Sequence, residues 1–275
     1  MRIHQLIDLH HFAVKSAEKF SRKRFLFSQL AAEKGKHFIG IVGPRGVGKT
    51  VLLRQYAAAQ PDAFYLSADT LDPDDDPWQL IVTLEEKFGF GTFLIDEIHF
   101  LKNPTALLKR LYDFLHVRVI FTSSVALAME ASRHDLSRRA RVRTLHPFSY
   151  REYLAFSQGV ELPPLTLQEL AAHGWTPQHL RSGHRFNDYL TGGQLPYARE
   201  EPDPFPLLQN ILDKVVGRDL PSVARLAVDE LDTIKRLLLF IGRSQVDGIN
   251  YSSLSRNLSI TKYKAAQYVA SLEKA

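Results

Sequence analysis

The sequence of 275 residues predicts an α/β fold: a five-stranded parallel sheet covered by helices, then a helical segment, then a C-terminal helix-turn-helix. Three observations carry this. Short apolar, β-branched or aromatic runs alternate with helix-like segments up to Pro147, which is how βαβ units read. Within each run apolarity is continuous rather than alternating, as in strands covered on both faces. Beyond Pro147 the strand signal stops, and helical patterns separated by proline-rich loops take over.

The first strand is expected at His37–Val42 and, after a glycine-rich turn, a helix at Lys49–Ala59. Ala63–Ser67 reads as the second strand, Pro77–Phe88 as a helix, Thr92–Ile98 as the third strand and Pro104–Leu115 as a helix. Val117–Ser123 is the fourth strand, Val125–Ala131 a short helix and Arg141–His146 the fifth strand. Ser149 followed by Glu152 is a capping-box pattern that opens a helix through Phe156. Further helical segments are expected at Leu165–His173, Leu207–Val216, Pro221–Ala227 and Asp229–Gly242. Between Asn250 and Leu272, two short helices flank a turn at Leu258–Ile260. Leu254 and Leu258 face inward on the first, and Tyr263, Ala266, Val269 and Leu272 on the second.

Composition narrows the function classes. Hydrophobic residues at 45% and charged residues at 24% exclude wholesale disorder. The absence of cysteine excludes disulfides, thiolate zinc sites, iron–sulfur ligation and thiol nucleophiles, and it fits a reducing compartment. The N-terminus lacks the apolar core of a signal peptide, and no apolar run approaches the ~20 residues that span a bilayer. A soluble, cytoplasmic protein with no membrane partner is expected.

Net charge is +5, unevenly spread. Residues 1–54 hold 11 Lys/Arg against 3 Asp/Glu, residues 55–100 hold 1 against 10, and residues 101–150 hold 9 against 3. The acidic block includes Asp72 and Asp74–Asp76, and the second basic block includes Arg133, Arg138, Arg139, Arg141 and Arg143. Such faces can meet head-to-tail in a homo-oligomer, the basic face can meet phosphate, or both are solvated surface.

The chemistry centres on Gly43-Pro44-Arg45-Gly46-Val47-Gly48-Lys49-Thr50, which fits the phosphate-loop pattern between a strand and a helix; Val51 follows on that helix. Its glycines let backbone N–H groups turn inward on phosphate oxygens, and the helix N-terminus adds its positive end. Lys49 is expected on the β/γ-phosphates and the Thr50 hydroxyl on Mg²⁺. Phe93-Leu-Ile-Asp96-Glu97 supplies the second half: Asp96 as metal carboxylate and Glu97 as the general base toward water. An acid beside the metal carboxylate favours hydrolysis over transfer to an acceptor hydroxyl. The expected cofactors are therefore ATP and Mg²⁺, with ADP as product.

The fourth strand ends Phe121-Thr122-Ser123-Ser124. Ser124 is a candidate for orienting water or sensing the γ-phosphate; a helix cap is the other reading. Arg139, with Arg138 as alternative, is the candidate cation supplied across a subunit boundary, against a solvated or nucleic-acid-facing patch. His4, His10 and His11 read as surface or helix-packing side chains, and Tyr56, Phe64, Phe93 and Phe100 as core. The last helix would expose Thr261, Lys262, Lys264 and Gln267 toward duplex DNA; a protein-packing or nucleotide-covering role fits the same layout.

Together these residues resemble the AAA+/STAND-type P-loop ATPases of bacteria and archaea, in the group whose ATPase core is followed by a winged helix and usually by a further uncharacterised domain. Leu136-Ser-Arg-Arg-Ala140 resembles that group's arginine motif, with Arg139 at the arginine position and Arg138 in place of the usual glycine. His146-Pro-Phe-Ser-Tyr-Arg-Glu-Tyr153 and Thr191-Gly-Gly-Gln-Leu-Pro196 are similar to its next two signatures, the latter implying a turn near the adenine. The resemblance implies a P-loop ATPase core over residues 1–150, a helical lid over 151–228 and an incomplete winged helix over 229–275, the sequence ending at Ala275 without wing strands. Two functions stay open: an ATP hydrolase that couples nucleotide state to partner or DNA contacts, and a DNA-binding or regulatory switch in which hydrolysis is incidental.

Overall fold

The computed structural model describes residues 3–124, 136, 138–199, 201, 203–221, 226–244 and 248–273. The expected helix at Val125–Ala131, most of the one at Pro221–Ala227, and Arg133 lie outside the described residues. Two helices, α1 (Ile3–Ala17) and α2 (Phe25–Ala32), precede the first strand. The α/β unit then runs β1 (Phe38–Val42), α3 (Lys49–Ala59), β2 (Ala63–Ser67), α4 (Pro77–Phe88), β3 (Thr92–Asp96), α5 (Pro104–Phe114), β4 (Arg118–Ser123) and β5 (Ala140–Thr144). All five strands are parallel in the order β2-β3-β4-β1-β5, which puts β4 between the strand that feeds the phosphate loop and the strand that ends in Asp96.

Alternation along the buried strands sorts the core into two layers. Phe38, Phe64, Phe93, Ile95, Val119 and Phe121 pack on α4 and α5, while Ile39, Ile41, Tyr65, Leu94 and Ile120 pack on α2 and α3. Both layers are closed, so β1 to β4 match the continuous apolar pattern. The edge strand β5 does not: Arg141, Val142, Arg143 and Thr144 are exposed, whereas β2 at the opposite edge is buried. Arg141 and Arg143 pair with Glu33 at the end of α2.

The other edge is covered by α1, which contributes Leu6 to one layer and Ala13 to the other. His10 is buried, stacks on Phe64 at 4.7 Å, and accepts the outward Tyr65 N–H at Nδ1 (3.0 Å). A pairing role on α1 thus fits the helix-packing reading of this histidine. Phe100, by contrast, is half-exposed rather than core: the third strand stops at Asp96, and a short turn at Ile98–Phe100 carries the ring out toward the cleft.

After Phe148 the chain is helical. The capping box at Ser149 and Glu152 opens α6 (Tyr150–Gln158), and short helices and turns follow to Arg199, among them Leu167–Ala171 inside the expected helix at Leu165–His173. Then come α7 (Phe205–Lys214), α8 (Val228–Arg243), α9 (Tyr251–Leu258) and α10 (Lys262–Glu273). Val216 and Leu220, just after α7, bury with Ile234, Leu237, Leu254, Leu258, Ala265, Tyr268 and Val269 in a separate core. The inward face of α10 is therefore Ala265, Tyr268 and Val269, whereas Tyr263 is exposed. The left-handed turn at Ser259 (φ 54°) sets that rotation. Among the described residues no helix is long and apolar enough to cross a membrane.

Burial, then the charge of His11, pushes the His10 imidazole down to about 4. The folded state therefore resists a proton that the unfolded chain takes up near its ordinary value of about 6.5, so stability falls as pH drops through that window. Thermal melts of wild type and His10→Phe between pH 7 and pH 4 should converge, the variant being the less acid-sensitive. Parallel melting curves would show that His10 does not carry this dependence.

Candidate functional site

The loop Gly43–Thr50 joins β1 to α3, and its glycines take conformations open to few other residues. Gly43 (φ 155°) lies so close to β5 that a Cβ there would sit 2.2 Å from the Leu145 carbonyl oxygen. Gly46 (φ 81°) is covered by the Tyr197 ring, 2.7 Å from where its Cβ would be. Gly48 (φ 93°) caps α3. Val47 is fully buried and pins the loop to the core, while Pro44 is exposed. Lys49 Nζ donates to the carbonyls of Gly43 (2.7 Å) and Pro44 (3.0 Å). Burial pushes this ammonium down to about 8, against the pull of Glu97 and Asp96.

Beside the loop, the two acids are held by the tip of β4. The Thr122 hydroxyl donates to Asp96 Oδ1 and accepts the Glu97 N–H (2.9 Å). The Tyr65 hydroxyl donates to Asp96 Oδ2 (2.8 Å), so the buried carboxylate is aimed from both sides. Glu97 adopts a left-handed backbone (φ 50°), uncommon for a residue other than glycine, and this turns its side chain out of the strand. Its Oε2 accepts the Ser124 N–H (3.2 Å) and lies 3.3 Å from His99 Nδ1. His99 in turn lies 3.2 Å from the Ser123 hydroxyl, and burial lowers its pKa. Ser124 thus contacts Glu97 through its amide; its buried hydroxyl has no partner among the described residues.

Two hollows meet at the loop. One, of about 350 Å³, is walled by Val51, Phe148, Phe156, Pro196 and Tyr197, and suits a planar base. The other, of about 500 Å³, gathers Thr50, Asp96, Glu97, Arg45, Lys214 and Arg218, and suits charged phosphate. The donor set of Thr50 hydroxyl and Asp96 carboxylate fits a hard oxygen-seeking cation such as Mg²⁺, which keeps waters and phosphate oxygens as its other ligands.

Sequence reasoning missed what braces this site. Arg24, in a basic run that looks solvated, is buried. It binds Glu152 at two points (2.8 and 3.1 Å) and donates to the carbonyls of Val47 (2.5 Å) and His146 (2.8 Å). Arg45 forms a second two-point pair, with Asp219 just after α7 (2.5 and 2.9 Å). Lys214 and Arg218 gave no signal, because a cation late in a helix usually reads as surface.

Other candidates lie elsewhere. Arg139 sits beside the start of β1; its guanidinium donates to Asp113 (2.8 Å) and its carbonyl accepts the Phe38 N–H. Five strand residues separate it from the loop of its own chain, roughly 15 Å. In α10 the Thr261 hydroxyl accepts the Lys264 N–H as a cap, and Lys264 Nζ pairs with Glu230 (2.9 Å); Lys262 is exposed.

Residues 35–154 match the family model described as an AAA domain, AAA_14. That match and the five-stranded parallel sheet support a P-loop ATPase fold for this segment. An uncharacterised protein of Methanocaldococcus jannaschii is 28% identical over 87% of the chain and 55% of its own length, so the chain spans about half of that relative. A Hsp104–ADP complex from S. cerevisiae aligns with 95% of the chain and 40% of its own, at 17% identity and TM-score 0.46. A katanin structure aligns with 59% of the chain and 61% of its own, at 18% identity and TM-score 0.32.

Removing Arg24 strands a buried carboxylate and two carbonyls, and breaking a buried pair from one side costs about 3–5 kcal/mol. Arg24→Ala should lose that much in chemical denaturation, and Arg24→Lys should recover little, since an ammonium cannot reproduce the fork. A loss below about 1 kcal/mol, the range of exposed pairs, would show that the clamp is not structural.

Proposed function

We propose that the chain is an ATP hydrolase whose nucleotide state is passed to its C-terminal helices. The observation that carries this is the tip of β4: the Thr122 hydroxyl and the Ser124 amide fix Asp96 and Glu97 side by side, next to Lys49 and Thr50. The loop amides and Lys49 hold the phosphates, Thr50 and Asp96 hold Mg²⁺, and the aromatic hollow takes the base. Mg²⁺, when bound, would supply neutralisation of the phosphate charge. Glu97 accepts the proton of the attacking water, on Oε1, because Ser124 and His99 occupy Oε2. Lys214 and Arg218 bring positive charge to the γ-phosphate side from the same chain. Arg139, which lies too far from its own loop, serves a neighbouring copy, with Arg138 as the alternative.

Duplex DNA is a weaker partner in this reading. Thr261 and Lys264 are already committed within α10 and to Glu230, which leaves Lys262 as the phosphate contact of the three. Residues 229–275 carry 7 Lys/Arg against 5 Asp/Glu, little charge for a polyanion. A protein partner on the C-terminal helices suits the same surface better.

Two outcomes follow. Glu97→Gln should keep nucleotide affinity and lower steady-state ATP hydrolysis by about 10²–10⁴-fold, the usual share of a general base; undiminished turnover would move the base elsewhere. For Arg139, mixing Arg139→Ala with Lys49→Ala subunits should restore turnover that neither shows alone, since an arginine finger contributes roughly 10³–10⁵ in rate. Activity independent of protein concentration, and unrescued by mixing, would place the second cation within the chain.

A further inference from the structure

We propose that the Arg45–Asp219 ion pair couples the phosphate loop to the C-terminal helical unit, so that nucleotide on the loop and a partner on that unit control each other. This rests on the reading of the loop as a nucleotide site and adds its route of regulation. Arg45 belongs to the loop itself, between Pro44 and Gly46, so it moves with the backbone that cradles phosphate. Its guanidinium meets Asp219 at two points, and the side chains are only 15% and 6% exposed. Two-point charged contacts of this kind fix direction as well as distance, and they tolerate little displacement.

Asp219 is equally bound to its own surroundings. It lies between Val216 and Leu220, which are 1% and 0% exposed in the core shared with α8, α9 and α10. Moving Asp219 therefore means moving that unit as a body, since a packed core shifts between discrete arrangements rather than deforming smoothly. The stretch before it, α7 and the turn that follows, brings Lys214 and Arg218 into the acid cleft and Ile211 over Gly46. Phosphate arriving on the loop must therefore act against contacts from this one element. The coupling is reciprocal by linkage: whatever binds the C-terminal helices changes nucleotide affinity by the same factor. Asp219 touches no reacting atom and is a positioning residue that acts through Arg45.

The test is hydrogen exchange on the full chain, with and without a non-hydrolysable ATP analogue and Mg²⁺. In wild type the analogue should change the exchange of α8 and α10 amides by roughly tenfold, the size of an ordinary coupling between sites. Asp219→Asn keeps the shape and the loop's own ligands, so it should bind the analogue while the exchange ratio in α8 and α10 falls to about one. Should that variant fail to fold, Arg45→Lys keeps the charge without the fork and should likewise lose most of the response. A full response in Asp219→Asn, or in a folded Arg45→Lys, overturns the coupling. So does a wild type that binds the analogue with no change in α8 or α10, which leaves the nucleotide reading standing. A wild type that fails to bind the analogue overturns that reading and this inference with it.

Discussion

The guanidinium of Arg24 is withdrawn from water and spread over three elements that are far apart in the chain. It grips Glu152 at the first turn of α6, the Val47 carbonyl inside the phosphate loop and the His146 carbonyl after β5, and it stacks on Phe148 at 4.7 Å. Each partner would be costly to bury alone. Together they make the N-terminal segment, the loop and the first helix beyond the sheet interdependent. The capping box completes the arrangement, because Glu152 also accepts the N–H groups of Ser149 and Phe25. A carboxylate that would otherwise serve one helix end becomes the anchor for the wall of the base-sized hollow.

A second constraint acts at the strand ends. In the order β2-β3-β4-β1-β5 the Thr122 side chain falls between Asp96 and the loop, so one hydroxyl can orient one acid and take the amide of the next. The left-handed backbone at Glu97 is the local cost of turning two consecutive carboxylates to different tasks. Charge balance follows the same economy. Lys49, Arg45, Lys214 and Arg218 face Asp96, Glu97 and Asp219 in one region, so the site is preorganised by opposite charges rather than by a single cation.

The α/β core was legible because its signals are local. The loop pattern, the apolar strand before Asp96 and the capping box each sit within a few residues, and the strands follow within one or two positions. The edge strand β5 misled, since a short run does not say whether its faces are covered: β2 is an edge strand too, and it is buried. The braces were hidden for another reason. Arg24 and Glu152 are 128 residues apart, and Arg45 and Asp219 are 174 apart, so no spacing within the chain announces either pair. On α10 the periodicity of the apolar residues was visible, but a left-handed turn at Ser259 rotates the helix so that Ala265 and Tyr268 point inward in place of Tyr263.

These features describe a phosphate loop held from behind by Arg24, flanked by two oriented acids, and tied at Arg45 to the helices beyond. On the proposed reading, this loop binds ATP with Mg²⁺ through Lys49. Isothermal titration of ATP·Mg²⁺ into wild type and into Lys49→Ala measures it most directly. Saturable binding to wild type is expected, and its loss in the variant, whose buried ammonium is gone. No binding heat with wild type, or equal affinity in the two proteins, would contradict it.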